Sequence, residues 1–174
     1  FMGLVGSEMC IRDSNDTGNA IANSLAAVQS GVRQIQGTLN GIGERCGNAN
    51  LITLIPTLLL KERFNKNFNL SITKDSLKNI RKTSLIVDDI MNRAPDKQAP
   101  YVGDSAFSTK AGIHASAIVK DPKTYEHVDP KLIGNDRKLL ISDQGGRSNI
   151  LSSLKDIGLE LTFTGIEYFV LIVI

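Results

Sequence analysis

Apolar and small residues at Ala20, Ile21, Ser24, Leu25, Ala27 and Val28 recur at helical spacing, in a stretch rich in Ala and Leu. A helix is therefore expected over residues 17–30. Asn15, Asp16 and Thr17 ahead of it are N-cap types, and Gly31 is a stop signal. Residues 32–39 alternate roughly and suit a short strand. Residues 40–50 hold Gly41, Gly43 and Gly47 among polar neighbours and read as a loop. Residues 51–64 form a second apolar helix pattern, with Pro56 expected as a kink or boundary near its start. After a polar break at residues 66–69, residues 71–92 are amphipathic: Leu77, Ile80, Ser84, Val87 and Met91 share one face. Thr73 with Ser76 suits a capping start. Residues 94–103, with Pro95 and Pro100, read as an extended linker. A short helix is expected at 111–120, a loop at 121–130, a strand at 138–142 and a helix at 148–157. Helix, strand, Gly-rich loop and helix in succession are the alternation of an α/β fold.

The chain has 174 residues, 41% of them hydrophobic. That supports one core of ordinary size and falls short of a complete (β/α)8 barrel of about 250 residues. Lys and Arg total 20 against 18 for Asp and Glu, a formal net charge of +2. Such a balance makes no electrostatic case for nucleic acid or an anionic membrane. No apolar run approaches the roughly 18 residues of a membrane span. Two cysteines, Cys10 and Cys46, make no disulfide framework. A reducing, cytoplasmic setting is expected.

The ends differ in texture from the middle. Residues 1–14 show neither helical nor strand period, and residues 4–13, LVGSEMCIRD, resemble the translation of a sequencing-library adapter. The alternative is a flexible natural terminus. On the adapter reading, Cys10, Glu8, Arg12 and Asp13 carry no function, and the segment packs against nothing. Residues 162–174 are dense in β-branched and aromatic residues. They read as a buried strand, an edge strand or a damaged end, the last being favoured by the abrupt change from the polar text before them.

Candidate chemistry gathers in two places. The first is the loop NGIGERCGN at 40–48, after a strand and before a helix, where α/β folds place their sites. It lacks the Lys-Ser/Thr pair of a P-loop. Glu44 and Arg45 could equally pair with each other or with neighbours, and the glycines could serve only a tight turn. The second is His114, in AFSTKAGIHASA. An isolated histidine on a short helix is more often structural than catalytic. His127 reads as a solvated loop residue. Asp88 and Asp89 resemble a paired carboxylate site, but they fall in the amphipathic helix, with Asp88 expected to face solvent. Lys110 and Arg147 could contact phosphate or carboxylate, but surface positions are favoured.

The run NDTGNAIANSLAAVQSGVRQIQGTLNGIGERCGNANL, residues 15–51, closely resembles the end of the catalytic barrel in the isopropylmalate, homocitrate and citramalate synthase family. A later run within residues 101–150, including SAFSTKAGIHASAIVKDPKTYEHVDPKLIG and GRSNI, resembles that family's post-catalytic linker domain. The wording of the second run looks most like the citramalate synthase branch. The resemblance implies an α/β fold: the C-terminal part of a (β/α)8 TIM barrel over residues 15–66, then a mainly helical linker and dimerisation domain over 67–161. It implies a fragment of an acyltransferase that condenses acetyl-CoA with a 2-oxo acid, pyruvate foremost, in branched-chain amino-acid biosynthesis. It further implies a divalent metal (Mg2+, Mn2+ or Zn2+), acetyl-CoA as co-substrate and a homodimer, with no nucleic-acid or membrane partner. Alternatives are a 2-isopropylmalate or homocitrate synthase fragment, and a non-catalytic helical dimerisation module.

Residue by residue, the resemblance puts Asp16, Gly43 and Glu44 at the substrate or acyl-CoA end of the barrel. It puts Asn48 beside the metal, and His114 with Tyr125 in the partner subunit's active site. For Asp16 a helix N-cap is an equal alternative. The family's His-x-His metal pair falls here on Arg12 and Ser14. Arg cannot ligate a cation and a Ser hydroxyl is a poor substitute for imidazole, so the polypeptide alone is expected to be inactive.

Overall fold

In the computed structural model, which describes residues 10–110, 112–140 and 154, the chain is a mixed helix and strand structure. Strand β1 (Cys10–Arg12) pairs in parallel with β2 (Gln34–Gln36), in register Ile11 to Ile35. Helix α1 (Ala20–Gln29) joins them, because parallel neighbours need a crossover. A second unit of the same form follows later: β3 (Ser108–Thr109) pairs in parallel with β4 (Lys138–Leu139), with α5 (Gly112–Lys120) between them in sequence. Between the two units lie α2 (Leu51–Leu60), α3 (Glu62–Asn65), a 3-10 turn at Lys74–Asn79 and α4 (Ile80–Ile90).

Helix α1 buries Ala20, Ser24 and Val28, one residue per turn. It starts later than its capping residues suggest. Asn15 still serves it, since its Oδ1 accepts from the Ala20 N–H at 3.2 Å. Helix α2 reads LITLIPTLLL and is apolar on every side, as a helix packed all round should be. Ile52 and Leu59 join Leu77, Ile80, Tyr101, Val102, Phe107 and Ile133 in the largest core cluster. Leu54 packs with Ala20 and Ala49, and Leu58 with Val28 and Phe64. The chain on either side of the polar break at 66–69 thus shares one core.

Three expectations need correction. Pro56 does not bound α2; it lies inside the helix and is buried, and the break comes at Lys61, whose backbone is extended. Burial of the proline ring in the core compensates for the missing N–H. Residues 10–14 do pack: β1 pairs with β2, the Ala49 N–H donates to the Asp13 carbonyl, and Ser14 bridges to Asn48. Backbone pairing is indifferent to side-chain identity, so a segment without a hydrophobic period can still complete a ladder. Asp88 does not face solvent but is buried. The amphipathic stretch begins as the 3-10 turn, where Thr73 accepts from the Ser76 N–H. Its inner face is Leu77, Ile80, Ser84 and Asp88, while Met91 is exposed. The expected helix at 148–157, apart from Leu154, the strand residues beyond Leu140, Arg147 and residues 162–174 lie outside the described residues. Among the described residues no helix is long and apolar enough to cross a membrane.

Candidate functional site

The Gly-rich segment follows β2 and leads into α2. It opens with a 3-10 turn at Leu39–Gly41, in which Asn40 is left-handed at φ 53°. The segment folds back on itself through the Asn48 N–H to the Gly41 carbonyl at 3.1 Å and the Gly47 N–H to the Glu44 carbonyl at 2.9 Å. Gly47 has φ 85°, and a Cβ there would lie 2.0 Å from the Gly41 oxygen, so only glycine fits. At Gly43 a Cβ would sit 2.3 Å from Asn48 Nδ2. Gly43 therefore clears the space in which the Asn48 amide turns to donate to the Ile42 carbonyl at 3.1 Å.

That orientation leaves Asn48 Oδ1 as the open acceptor. Arg12, Ser14, Glu44, Arg45 and Asn48 together line a polar cleft of about 270 Å3. Asp16, expected as a cap or a substrate contact, instead takes Arg45 in a two-pronged pair at 3.1 and 3.0 Å. Both side chains are about half exposed. The Asp16 carboxylate holds the Arg45 guanidinium above its ordinary pKa through that hydrogen bond and its charge. Glu44 approaches Arg45 only to 4.0 Å and is almost wholly exposed. Arg45 was expected to pair with Glu44 or a neighbour, and Asp16 is that neighbour; the Arg45 backbone is left-handed at φ 55°.

The cleft does not fit a divalent cation. Its possible donors are one amide oxygen, one hydroxyl and one exposed carboxylate, and two guanidiniums share the space. Two fixed positive charges repel a cation, and a hydroxyl–amide set is too weak to offset them. Among the described residues no cluster of His, Cys, Asp and Glu could hold a metal. Cys46 is a free, exposed thiol and Cys10 a free, half-buried one.

His114 and Tyr125 come together. His114 is exposed on α5, and the chain reverses through a 3-10 turn at Pro122–Thr124 that Asp121 caps by accepting from the Lys123 N–H. Their ring centroids are 4.4 Å apart, tilted by 36°. Tyr125 is 52% exposed. Next to it, Glu126 is nearly buried and holds Arg137, with one contact at 2.6 Å, fixing the chain where Tyr125 leaves it.

His127 is more than a solvated residue. Although exposed overall, its ring lies parallel to Phe107 at 5.8 Å and tilted against Tyr101 at 5.0 Å. Burial of that inner face lowers its pKa, and nearby Lys61 adds to the effect, while Glu126 opposes it. Aromatic neighbours favour the neutral ring by excluding water. Lys110 is exposed, as expected.

Comparison with known proteins gives a consistent set of likenesses. Residues 11–84 match the HMGL-like family model, and residues 101–170 match the homocitrate synthase post-HMGL domain-like model. The chain is 48% identical over 154 residues to the (R)-citramalate synthase of a Synechocystis strain, covering 88% of this chain and 27% of the relative. It is likewise 48% identical to the (R)-citramalate synthase of Aquifex aeolicus, over 87% of this chain and 28% of that one. A 2-isopropylmalate synthase of Methylacidiphilum infernorum is 41% identical over 84% of this chain and 29% of its own length. The chain thus spans less than a third of the length of the curated relatives it matches.

Proposed function

Because the chain belongs to the HMGL-like family and continues into a homocitrate synthase post-HMGL domain, we propose that it is part of an acyltransferase that condenses acetyl-CoA with a 2-oxo acid. Pyruvate is the favoured acid, since the relatives at 48% identity are (R)-citramalate synthases. The observation that carries the reading is the contact of His114 with Tyr125. The two residues that the resemblance assigns to one site have ring centroids 4.4 Å apart and are both exposed. In this reading residues 15–66 close a TIM barrel, residues 67–161 form the linker domain, and the intact enzyme is a cytoplasmic homodimer.

The reaction removes a proton from the acetyl methyl group. The resulting carbanion forms a C–C bond to the keto carbon as the C=O π electrons move to oxygen, which takes up a proton, and water then cleaves the thioester to release the CoA thiol. His114 is suited to accept or relay the methyl proton while neutral. The Tyr125 hydroxyl donates a hydrogen bond to an oxygen of the acyl group. At the barrel end, Asp16 keeps Arg45 turned across the cleft, and Gly43 with Glu44 lines the entry for substrate. A divalent metal would polarise the keto group only where the family's two histidines stood beside Asn48. In this chain Arg12 and Ser14 occupy the places of the family's two metal-binding histidines.

A chimera tests the reading. The matched stretch of the Synechocystis enzyme is replaced by this chain from Asn15 onward, and the relative supplies everything else. Thiol release from acetyl-CoA with pyruvate is expected, and weaker release with other 2-oxo acids. A folded chimera with no thiol release above a no-protein blank supports the non-catalytic dimerisation module instead.

A further inference from the structure

We propose that α4 positions the Gly-rich loop of the cleft through Asp88 and Ser84, which clamp Asn40. Resting on the function proposed above for its catalytic consequence, this makes Asp88 a positioning residue of the site.

The geometry is a closed set of hydrogen bonds. Asn40 Nδ2 donates to the Ser84 carbonyl at 2.9 Å and to Asp88 Oδ1 at 2.8 Å. Asn40 Oδ1 accepts from the Ser84 hydroxyl at 2.7 Å. Both amide hydrogens and the amide oxygen are thus engaged by a helix more than 40 positions away in sequence. Ser84 and Asp88 are both buried.

Packing alone gives no reason for a carboxylate at position 88. It lies on the inner face with Leu77 and Ile80, where an apolar side chain would continue the core. It also sits in the last turn of α4, where the helix dipole disfavours a negative charge. Burial of a carboxylate is costly unless its bonds are satisfied. A donor from Asn40 satisfies it, and an adjoining cavity of about 220 Å3, lined also by Arg93, leaves room for water at the carboxylate.

The clamp reaches the cleft in two short steps. Asn40 sets the left-handed turn, the adjacent Gly41 carbonyl receives the Asn48 N–H, and Ile42 receives the Asn48 side-chain amide. Movement of α4 away from Asn40 therefore releases the orientation of Asn48 and the loop carrying Glu44 and Arg45.

Amide hydrogen exchange on the full 174-residue chain tests this. Asp88→Ala and Asn40→Ala should each speed exchange at Gly47 and Asn48 by about tenfold, the scale of one charge-assisted hydrogen bond, with α2 amides unchanged. The double variant should be no worse than Asn40→Ala alone, because that change already removes the Asp88 contact along with both Ser84 bonds. Asp88→Asn keeps the Oδ1 acceptor and should restore slow exchange. Should Asp88→Ala fail to fold, Ser84→Ala and Asp88→Asn carry the comparison: Ser84→Ala should loosen the loop and Asp88→Asn should not. Additive effects, or uniform loosening of α2 and the loop, overturn the clamp. In the chimera, Asp88→Ala should lower kcat/KM about tenfold and Asp88→Asn should recover it. A chimera inactive with its native clamp counts against the synthase reading, while the exchange data still decide the clamp.

Discussion

The rings of His114 and Tyr125 face each other at 4.4 Å within one chain, carried by a single helix and the turn that follows it. They therefore move as one unit, and in the dimer proposed above whichever barrel received one would receive both. If that barrel is the partner's, a chimera carrying His114→Ala mixed with one inactivated at the barrel end should regain about one working site of two. Two parents alone should each lose about 100-fold or more in kcat, the usual worth of a proton-transfer group. Heterodimers that form and show no recovery would place the pair in its own subunit's site.

Glu126 and Arg137 support that pair. Removing one partner of a buried ion pair strands the other, and Glu126 is the buried member. Arg137→Ala should cost roughly 1–3 kcal/mol, below the value for a wholly buried pair because the guanidinium is a third exposed. Denaturant unfolding measures this. A midpoint unchanged from the parent would mean that the pair contributes nothing.

Gly47→Ala should be harsher than Gly43→Ala. At Gly47 the added Cβ meets backbone oxygen at 2.0 Å with φ already 85°, and nothing there can move alone. A loss of about 1–3 kcal/mol is expected from the strained backbone. At Gly43 the clash is with the Asn48 side chain, which can rotate away. That variant should melt near the parent temperature but lose the Asn48 to Ile42 hydrogen bond, visible as a shifted side-chain amide resonance.

These contrasts also explain what was legible from the sequence. The element order emerges from local patterns: α1, β2, the Gly-rich loop, α2 and α5 each lie within the stretch that its pattern marks out. Boundaries missed where tertiary burial overrode a local rule, as at Pro56, which the core accepts inside α2. Asp88 was misplaced for a related reason. Amphipathic counting treats a carboxylate as outward-facing, and only the distant Asn40 explains its burial. The glycines at 41, 43 and 47 marked a loop but not what Asn40 within it would grip. Asp16 was legible as a polar residue near a helix start, yet its partner Arg45 lies 29 residues on.

The pH dependence of stability should carry the mark of His127. Its folded pKa lies below that of a free imidazole, chiefly through burial against Phe107 and Tyr101. The unfolded chain then binds the proton more readily, so stability rises with pH across this window. The contribution is whole above the unfolded value of about 6.5 and is lost as pH falls through the folded one. His127→Gln, which cannot titrate, should flatten the fall in Tm between neutral and mildly acidic pH. Parallel curves for the two proteins would show that the ring titrates as it does in the unfolded chain.

Metal binding offers the last test, and it depends on charge at two positions. Arg12 and Ser14 stand in the cleft with Asn48, whose Oδ1 is turned free because Nδ2 is held by Ile42. The backbone that would present ligands is already in place, since β1 pairs with β2 and Ser14 bridges to Asn48. What is wrong is the chemistry of two side chains. The chain should show no saturable binding of Co2+ by visible absorption, because a guanidinium neither donates a lone pair nor tolerates a neighbouring cation. Arg12→His with Ser14→His supplies two imidazoles beside the Asn48 oxygen and removes a positive charge. That double variant should gain a Co2+ spectrum and lose it when Asn48→Leu is added. Adding only Ser14→His should give little, as Arg12 still repels the ion. Saturable Co2+ binding by the native chain, abolished by Asn48→Leu, would mean that this cleft accepts a cation despite its guanidiniums.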